Sequence, residues 1–346
     1  MKEQNGLMKG SIRWLYLLLL IVVVGCGTED KQLESSGAAI KSKKTVKKIP
    51  LVSTASFNSD SAFGFVQKQV DFGPRVPNTK EHNACANFLV NQLYRFGLDT
   101  SIQRAKVRAY NNKILNAKNI IGRFKPELNN RILLFAHWDT RPYADRGKER
   151  RTKPIDGAND GGSGVAVLLE LARAIHSDSI KPNIGFDIVF FDAEDYGQPD
   201  GTMVSNAGGT WCLGSQYFAS NIPFTNYRPR YGICLDMVGA ANAVFPKEGV
   251  SMYYAPQVVN NVWRIAKELG YGNYFSDAVI SGGLTDDHTY INQIANIPSI
   301  DIIHYEINRR DFGTFHHTHD DNLSLIDKEP LKAVGETVMQ VLYQEQ

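Results

Sequence analysis

Two acids, Glu194 and Asp195, stand side by side where the apolar run Ile188-Val189-Phe190-Phe191 breaks off at Asp192. Adjacent carboxylates at the mouth of a buried strand are costly unless something compensates them, and a bound cation is the simplest compensator. Taken alone, the pair reads as the start of a solvated loop. Other segments of the chain change that reading. One apolar strand-like run ends in His137-Trp138-Asp139, and another, from Tyr231, ends in Asp236. Loops add Asp160, Asp286-Asp287-His288 and His316-His317-Thr318-His319-Asp320-Asp321. Several strand ends each delivering imidazole or carboxylate point to one pole of one sheet. A mixed His and carboxylate set suits zinc, which takes three protein ligands and keeps an open position in a catalytic site. Magnesium rarely takes His, and calcium asks for more oxygens. Nucleophilic catalysis is the weaker alternative: there is no Gly-x-Ser-x-Gly elbow, and no Cys has an obvious activating neighbour.

The elements that must carry these groups follow from periodicity. Ser61 to Val70 and Thr79 to Phe96 read as helices; in the second, Thr79 is the cap, Gly97 the stop, and Ala84, Phe88, Leu89, Leu93 and Phe96 the apolar stripe. Thr100 to Val107, Ala117 to Gly122 and Ile132 to Ala136 read as strands. Asn159-Asp160-Gly161-Gly162-Ser163-Gly164 leads into an amphipathic helix, Val165 to Ile175, for which Asn159 or Asp160 could serve merely as N-cap. The strand Phe186 to Asp192, a long Gly- and Asn-containing loop from Tyr196 to Thr210 and a helix from Leu213 to Ala219 come next. A strand to Asp236, a helix Val258 to Leu269, a strand Ile297 to His304 and a helix Leu331 to Tyr343 complete the chain. Alternation of this kind predicts an α/β fold: a single domain with a mixed, mostly parallel central sheet flanked by helices. Ligands in such sheets sit in the crevice at the strand carboxyl ends.

With 346 residues, 43% hydrophobic and 21% charged, the chain is long enough for one large domain. A net charge of +2, without basic runs interleaved with aromatics, gives no case for nucleic acid. The N-terminus is set apart from the fold. Lys2, Lys9 and Arg13 precede an apolar run, Trp14 to Val24, too short to span a bilayer comfortably. It ends in Val23-Val24-Gly25-Cys26, which resembles a bacterial lipobox; an ordinary signal peptide or a short anchor is the competing reading. The expected organisation is a lipoprotein signal over 1–26 with lipid attachment at Cys26, a flexible tether over 27–55 and a catalytic domain over 56–346. That places the protein as an exported bacterial lipoprotein in the periplasm or cell envelope, held to the membrane by lipid. Of the remaining cysteines, Cys85, Cys212 and Cys234, the last two are free to pair in an oxidising compartment, though nothing in their spacing demands it.

As a set, His137-Trp138-Asp139, Asn159 to Gly164, Asp192-Ala193-Glu194-Asp195, Leu235-Asp236 and His316-His317-Thr318 resemble the zinc aminopeptidases of the M28 type. Within that superfamily the chain looks closer to the animal-type (type II) glutaminyl cyclases. The features that favour these are the long insertion before Trp211-Cys212-Leu213-Gly214-Ser215, the block Leu235 to Ala240, and the wording of Asp286-Asp287-His288 and of His317 to Asp321. The resemblance implies one catalytic zinc on Asp160, Asp195 and His317, with Glu194 as general acid/base. It implies Asp236 and Asp286 as carboxylates that share hydrogen bonds with Glu194 and position the substrate amine, and Trp211 as a wall of the substrate pocket. The implied substrates are peptides or proteins with an N-terminal Gln. Two positions depart from the family pattern: Asp195 stands where Glu is usual, and His316 stands where a Trp usually precedes the ligand. His316 and His319 therefore compete as ligands.

The alternative is an M28-type aminopeptidase with two zinc ions, the second on His137 and Asp236 with Asp160 bridging. A non-catalytic, surface-tethered binding protein is a third reading, and the retained Glu194 argues against it. Other residues carry plainer expectations. Asp139 orients His137, His176 partners a helix C-terminus, and His304 is structural. His288 orients the two acids before it, Trp138 packs in the core, and Asp192 is divided between strand-end structure and support of the site. Asp320 and Asp321 cap or orient the histidine loop.

Overall fold

The computed structural model describes residues 50–147, 152–199, 201–202 and 207–345. The apolar N-terminal run, Cys26 and the tether as far as residue 49 lie outside the described residues, as does part of the loop between Tyr196 and Thr210. Among the described residues no helix is long and apolar enough to cross a membrane.

Six strands form one sheet: β1 (Asp99–Arg108), β2 (Ile114–Phe124), β3 (Arg131–His137), β4 (Gly185–Phe191), β5 (Gly232–Asp236) and, last in the chain, β8 (Ser299–Ile303). Their order is β1-β2-β4-β3-β5-β8. The hairpin β1-β2 and the pair β2-β4 are antiparallel, whereas β4-β3, β3-β5 and β5-β8 are parallel. The sheet is therefore mixed and mostly parallel, as the alternation predicts.

Alternation along the strands sends side chains to two apolar layers. Ile132, Leu134 and Ala136 of β3 and Ile188 and Phe190 of β4 face one layer. That layer is built by α1 (Ser59–Val70), α2 (Lys80–Arg95), α3 (Gly162–Ser177), α6 (Pro256–Glu268) and α8 (Lys328–Gln344). Leu133, Phe135, Val189 and Phe191 face the other layer, against Phe218 of α4 (Leu213–Ser220) and Ile291 of α7 (Asp287–Gln293). The folded body also reaches into the expected tether. Ala55 is buried, and Gln344 donates to the Pro50 carbonyl.

Besides α7, three strands or α-helices have no counterpart in the sequence reading. Two are the short parallel strands β6 (Phe245–Lys247) and β7 (Phe275–Val279), which make a separate small sheet, and the third is α5 (Gly249–Tyr254). Each is too short to show a period. Asp287 and His288, expected in a loop, begin α7, and Asp286 is its N-cap, its side chain accepting from the Asp287 N–H.

Candidate metal and acid/base site

Parallel pairing points the carboxyl ends of β3, β4, β5 and β8 to one pole, and α3 begins there. The helix approaches so closely that a side chain at two of its glycine positions would collide. A Cβ on Gly164 would lie 2.0 Å from the Leu235 carbonyl oxygen. One on Gly161, where φ is +76°, would lie 2.7 Å from the His137 ring. The Gly-Gly-Ser-Gly run therefore brings Asp160 against His137 and Asp236. Asp160 is not a cap: Gly161 is the N-cap of α3 and makes no side-chain capping bond, and its N–H donates to Asp236 Oδ1 at 3.4 Å.

Asp160, Asp195 and His317 converge. The His317 Nε2 lies 3.2 Å from Asp195 Oδ1 and 3.8 Å from Asp160 Oδ2. On the other side of Asp160, His137 Nε2 lies 3.0 Å from Asp160 Oδ1 and 3.3 Å from Asp236 Oδ1. Glu194, Asp236, Asp286, Trp211, Asp160 and His317 all line one cavity of about 470 Å3. Three non-glycine residues that line it adopt left-handed backbone, Met237, Arg310 and His317, and so do Ala193 and Cys212 next to the lining residues Glu194 and Trp211, all with φ between 48° and 57°. Backbone of this kind costs of order 1–3 kcal/mol per residue and clusters where side chains must be aimed.

The five carboxylates Asp160, Glu194, Asp195, Asp236 and Asp286 are each at most 9% exposed. Burial, then the charge of Asp160, pushes the Asp195 carboxyl well above the ordinary range. Burial also pushes Glu194 well up; His137 opposes it, and the charges of Asp195, Asp286 and Asp287 reinforce it. Asp236 is pushed to about 7, chiefly by burial, with the His137 hydrogen bond resisting and Asp160 assisting. Asp160 goes the other way: burial is outweighed by the His137 hydrogen bond and by the charges of His137 and His317. His137 itself is held well above its usual value, its hydrogen bonds to Asp139, Asp160 and Asp236 overcoming burial. A divalent cation fits the donors gathered here: Asp160 shares one compact set with His316 and His317 and another with His137 and Asp236, while Asp195 enters neither and reaches the site through His317. The cation would relieve the repulsion between Asp160 and Asp195, and Asp195 Oδ2 is buried with no hydrogen-bond partner.

The expected groups come together with some corrections. His316 joins Asp160 and His317 in a set whose ligand atoms lie within 4.8 Å of one another, and its Nδ1 also sits 2.7 Å from Arg146 Nη1. His319 does not compete: it lines an outer cavity with Asp320 and Arg309, away from Asp160. His288 does not orient Asp286 and Asp287; its Nε2 pairs with Glu248 at 3.0 Å and its Nδ1 lies 3.7 Å from Asp301. Asp321 holds the metal-facing turn rather than the histidine loop, accepting from the backbone N–H groups of Asn159 and Asp160. Asp139 accepts from the N–H groups of Glu194 and Asp195 at 3.0 and 3.4 Å, besides lying 3.7 Å from His137 Nδ1. Asp192 is strand-end structure: it takes both bonds of the buried His82 Nε2, and His82 stacks on Trp138 in the core. His304 accepts from the Val244 N–H, a structural role as expected. Cys212 and Cys234 are both free and buried. Trp211 stacks parallel to His317 with ring centroids 5.8 Å apart.

Arg141 and Asp145 escaped the sequence reading. Arg141 pairs with both oxygens of Asp145, donates to the Asp195 carbonyl and side chain, and lies over Trp211. Asp145 in turn lies 3.8 Å from His317 Nδ1. The pair braces two of the three expected ligands. In sequence, Arg141-Pro142-Tyr143-Ala144-Asp145 is a plain turn with nothing to mark it.

Comparison with known proteins agrees with this geometry. The pattern of Peptidase family M28 matches residues 119–342. Among solved structures, a glutaminyl cyclase of Tannerella forsythia is 50% identical, with 84% of this chain and 100% of that one covered and a TM-score of 0.81. A glutaminyl cyclase of Bacteroides thetaiotaomicron bound to N-acetylhistamine is 49% identical, covering 85% and 100%, with a TM-score of 0.82. A Zn-dependent exopeptidase of Parabacteroides distasonis is similar to the same degree: 49% identity, 84% and 100% coverage and a TM-score of 0.82. The chain also aligns at 26% identity with an aminopeptidase of Bacillus subtilis; the match takes in 69% of this chain and only 46% of that protein's length.

Proposed function

The chain belongs to Peptidase family M28, and from that premise we propose that it is a glutaminyl cyclase, converting the N-terminal Gln of peptides or proteins to pyroglutamate with release of ammonia. The observation that carries the reading is the carboxylate cluster beside the ligands. Glu194 and Asp286 have ligand atoms within 4.8 Å of each other, and both line the cavity that Asp160, Asp236 and His317 enter. Peptide hydrolysis does not call for an acid at Asp286, whereas a reaction that moves a proton from one substrate nitrogen to another gains from it.

Asp160, Asp195 and His317 would hold one zinc, and the bound ion would supply Lewis-acid polarisation of the side-chain carbonyl. The rest is done by the chain itself. The α-amine of an N-terminal Gln is within reach of its own side-chain amide carbon, so ring closure gains from proximity. Glu194 accepts a proton from the amine as the new C–N bond forms, and returns it to the departing nitrogen as the amide C–N bond breaks. A carboxyl raised towards neutrality suits both halves of that exchange. Asp236 and Asp286 position the α-amine end of the substrate, and Trp211 closes the cavity beside His317.

The proposal includes the type II class, on the wording of Asp286-Asp287-His288 and His317 to Asp321. It also includes export and anchoring at Cys26, on the basic start and apolar run before it. A two-zinc aminopeptidase is the second reading, favoured by the placement of His137 Nε2 between Asp160 and Asp236. Ammonia release from a Gln-initiated peptide tests the first reading. The same peptide acetylated on its α-amine has lost its nucleophile and should release none; equal release from both would overturn the mechanism.

A further inference from the structure

Cys212 occupies a position that its residue type does not explain. It is the N-cap of α4, where a Ser, Thr, Asp or Asn side chain ordinarily accepts from the helix N–H groups, yet its side chain makes no capping bond. Its backbone is left-handed, with φ 56°, a conformation that favours glycine. It is fully buried. Two backbone bonds fasten it to the acidic turn: the Cys212 N–H donates to the Glu194 carbonyl at 2.9 Å, and the Leu213 N–H donates to the Ala193 carbonyl at 3.0 Å. In that setting the thiol donates to Glu194 Oε1 at 3.0 Å. The neighbouring acid has a similar backing, since the Cys234 thiol lies 3.6 Å from Asp286 Oδ2.

We propose that Cys212 is a positioning residue: its S–H···Oε1 bond fixes the rotation of the Glu194 carboxylate, leaving Oε2 to face the substrate nitrogen. The proposal rests on the cyclase reading for what Glu194 does, and on geometry alone for what Cys212 does. A thiol is suited to the place because it is a weak donor, occupying one oxygen without competing strongly for the proton that the other must exchange. Without the bond, the carboxylate samples rotations that do not face the amine, which lowers turnover and leaves substrate binding and zinc content alone.

The test uses the full-length zinc-loaded protein and its Cys212→Ala and Cys212→Ser variants. The alanine variant should lose kcat by about tenfold, in line with one hydrogen bond to a charged group, with KM and zinc content unchanged. The serine variant, which restores a donor, should recover most of that loss. Full activity in both variants overturns the proposal, as does an equal loss in both accompanied by an equal fall in melting temperature. Infrared spectroscopy separates this outcome from failure of the cyclase reading. The S–H stretch that disappears in Cys212→Ser should lie below the frequency of an unbonded thiol and move up in Glu194→Ala. A band at the unbonded frequency that Glu194→Ala leaves in place refutes the positioning role whatever reaction the site performs.

Discussion

Glu248 lies outside every motif, yet its carboxylate is buried and held by several partners. Its carboxylate accepts from the N–H groups of Val250, Ser251 and Leu284 and from the Ser251 hydroxyl, all between 2.7 and 2.9 Å, and pairs with His288 at 3.0 Å. Burial opposes its charge, but the His288 hydrogen bond and charge, with the Ser251 and Leu284 N–H groups, hold the carboxyl at about 2 rather than 4.5. At about 1.36 kcal/mol per pH unit that difference amounts to about 3 kcal/mol. Because the folded value is depressed, the contribution is complete above 4.5 and disappears as the pH falls towards 2. Glu248→Gln should therefore lower the unfolding free energy by about 3 kcal/mol in urea at about pH 7, and by less than half as much at about pH 3. Leu284 and His288 flank Asp286, so the variant should also lose turnover while retaining zinc. A deficit below about 1 kcal/mol at neutral pH, or one that does not shrink on acidification, would refute the assignment of that energy to the ionised carboxylate.

The site makes further predictions. Glu194→Gln should keep zinc and lose turnover by roughly 100-fold or more, whereas His317→Ala should lose both, as read by metal analysis beside the activity assay. His137→Ala should keep about one zinc per chain and cyclise within roughly tenfold of the parent; loss of a second metal equivalent together with activity would favour the two-zinc aminopeptidase. Gly164→Ala places a methyl group against the Leu235 carbonyl oxygen, and should cost roughly 1–3 kcal/mol in denaturant titration. A stability equal to the parent's would show that α3 is free to move away from the sheet.

The fold was legible in the sequence wherever an element was long enough to show its period. The apolar runs that became β3 and β4, the stripe of α2 and the Gly-rich entry to α3 all lie where their patterns place them, to within a few residues. The short strands β6 and β7 carry no such signal, and the N-cap role of Asp286 was hidden because an acid before an acid reads equally as loop. The acids and imidazoles of the site were legible because a carboxylate at the end of an apolar run has no cheap structural explanation. Their supports were not. Arg141, Asp145 and Glu248 act largely through distant partners, Asp195, His317 and His288 among them, and no local pattern announces such a pairing. His288 shows the opposite error: its neighbours in sequence are Asp286 and Asp287, but the helical turn of α7 aims its ring at Glu248 and Asp301. Composition likewise says little about Cys212, whose significance lies in its backbone conformation and in the carboxylate it faces.

The most direct test of the central claim is a single incubation of the zinc-loaded protein with a peptide beginning in Gln, followed by mass spectrometry. The account predicts a product lighter by one ammonia, with every residue of the peptide still present. Free glutamine and a peptide shortened by one residue would contradict it, and would make His137 and Asp236 ligands of a second zinc.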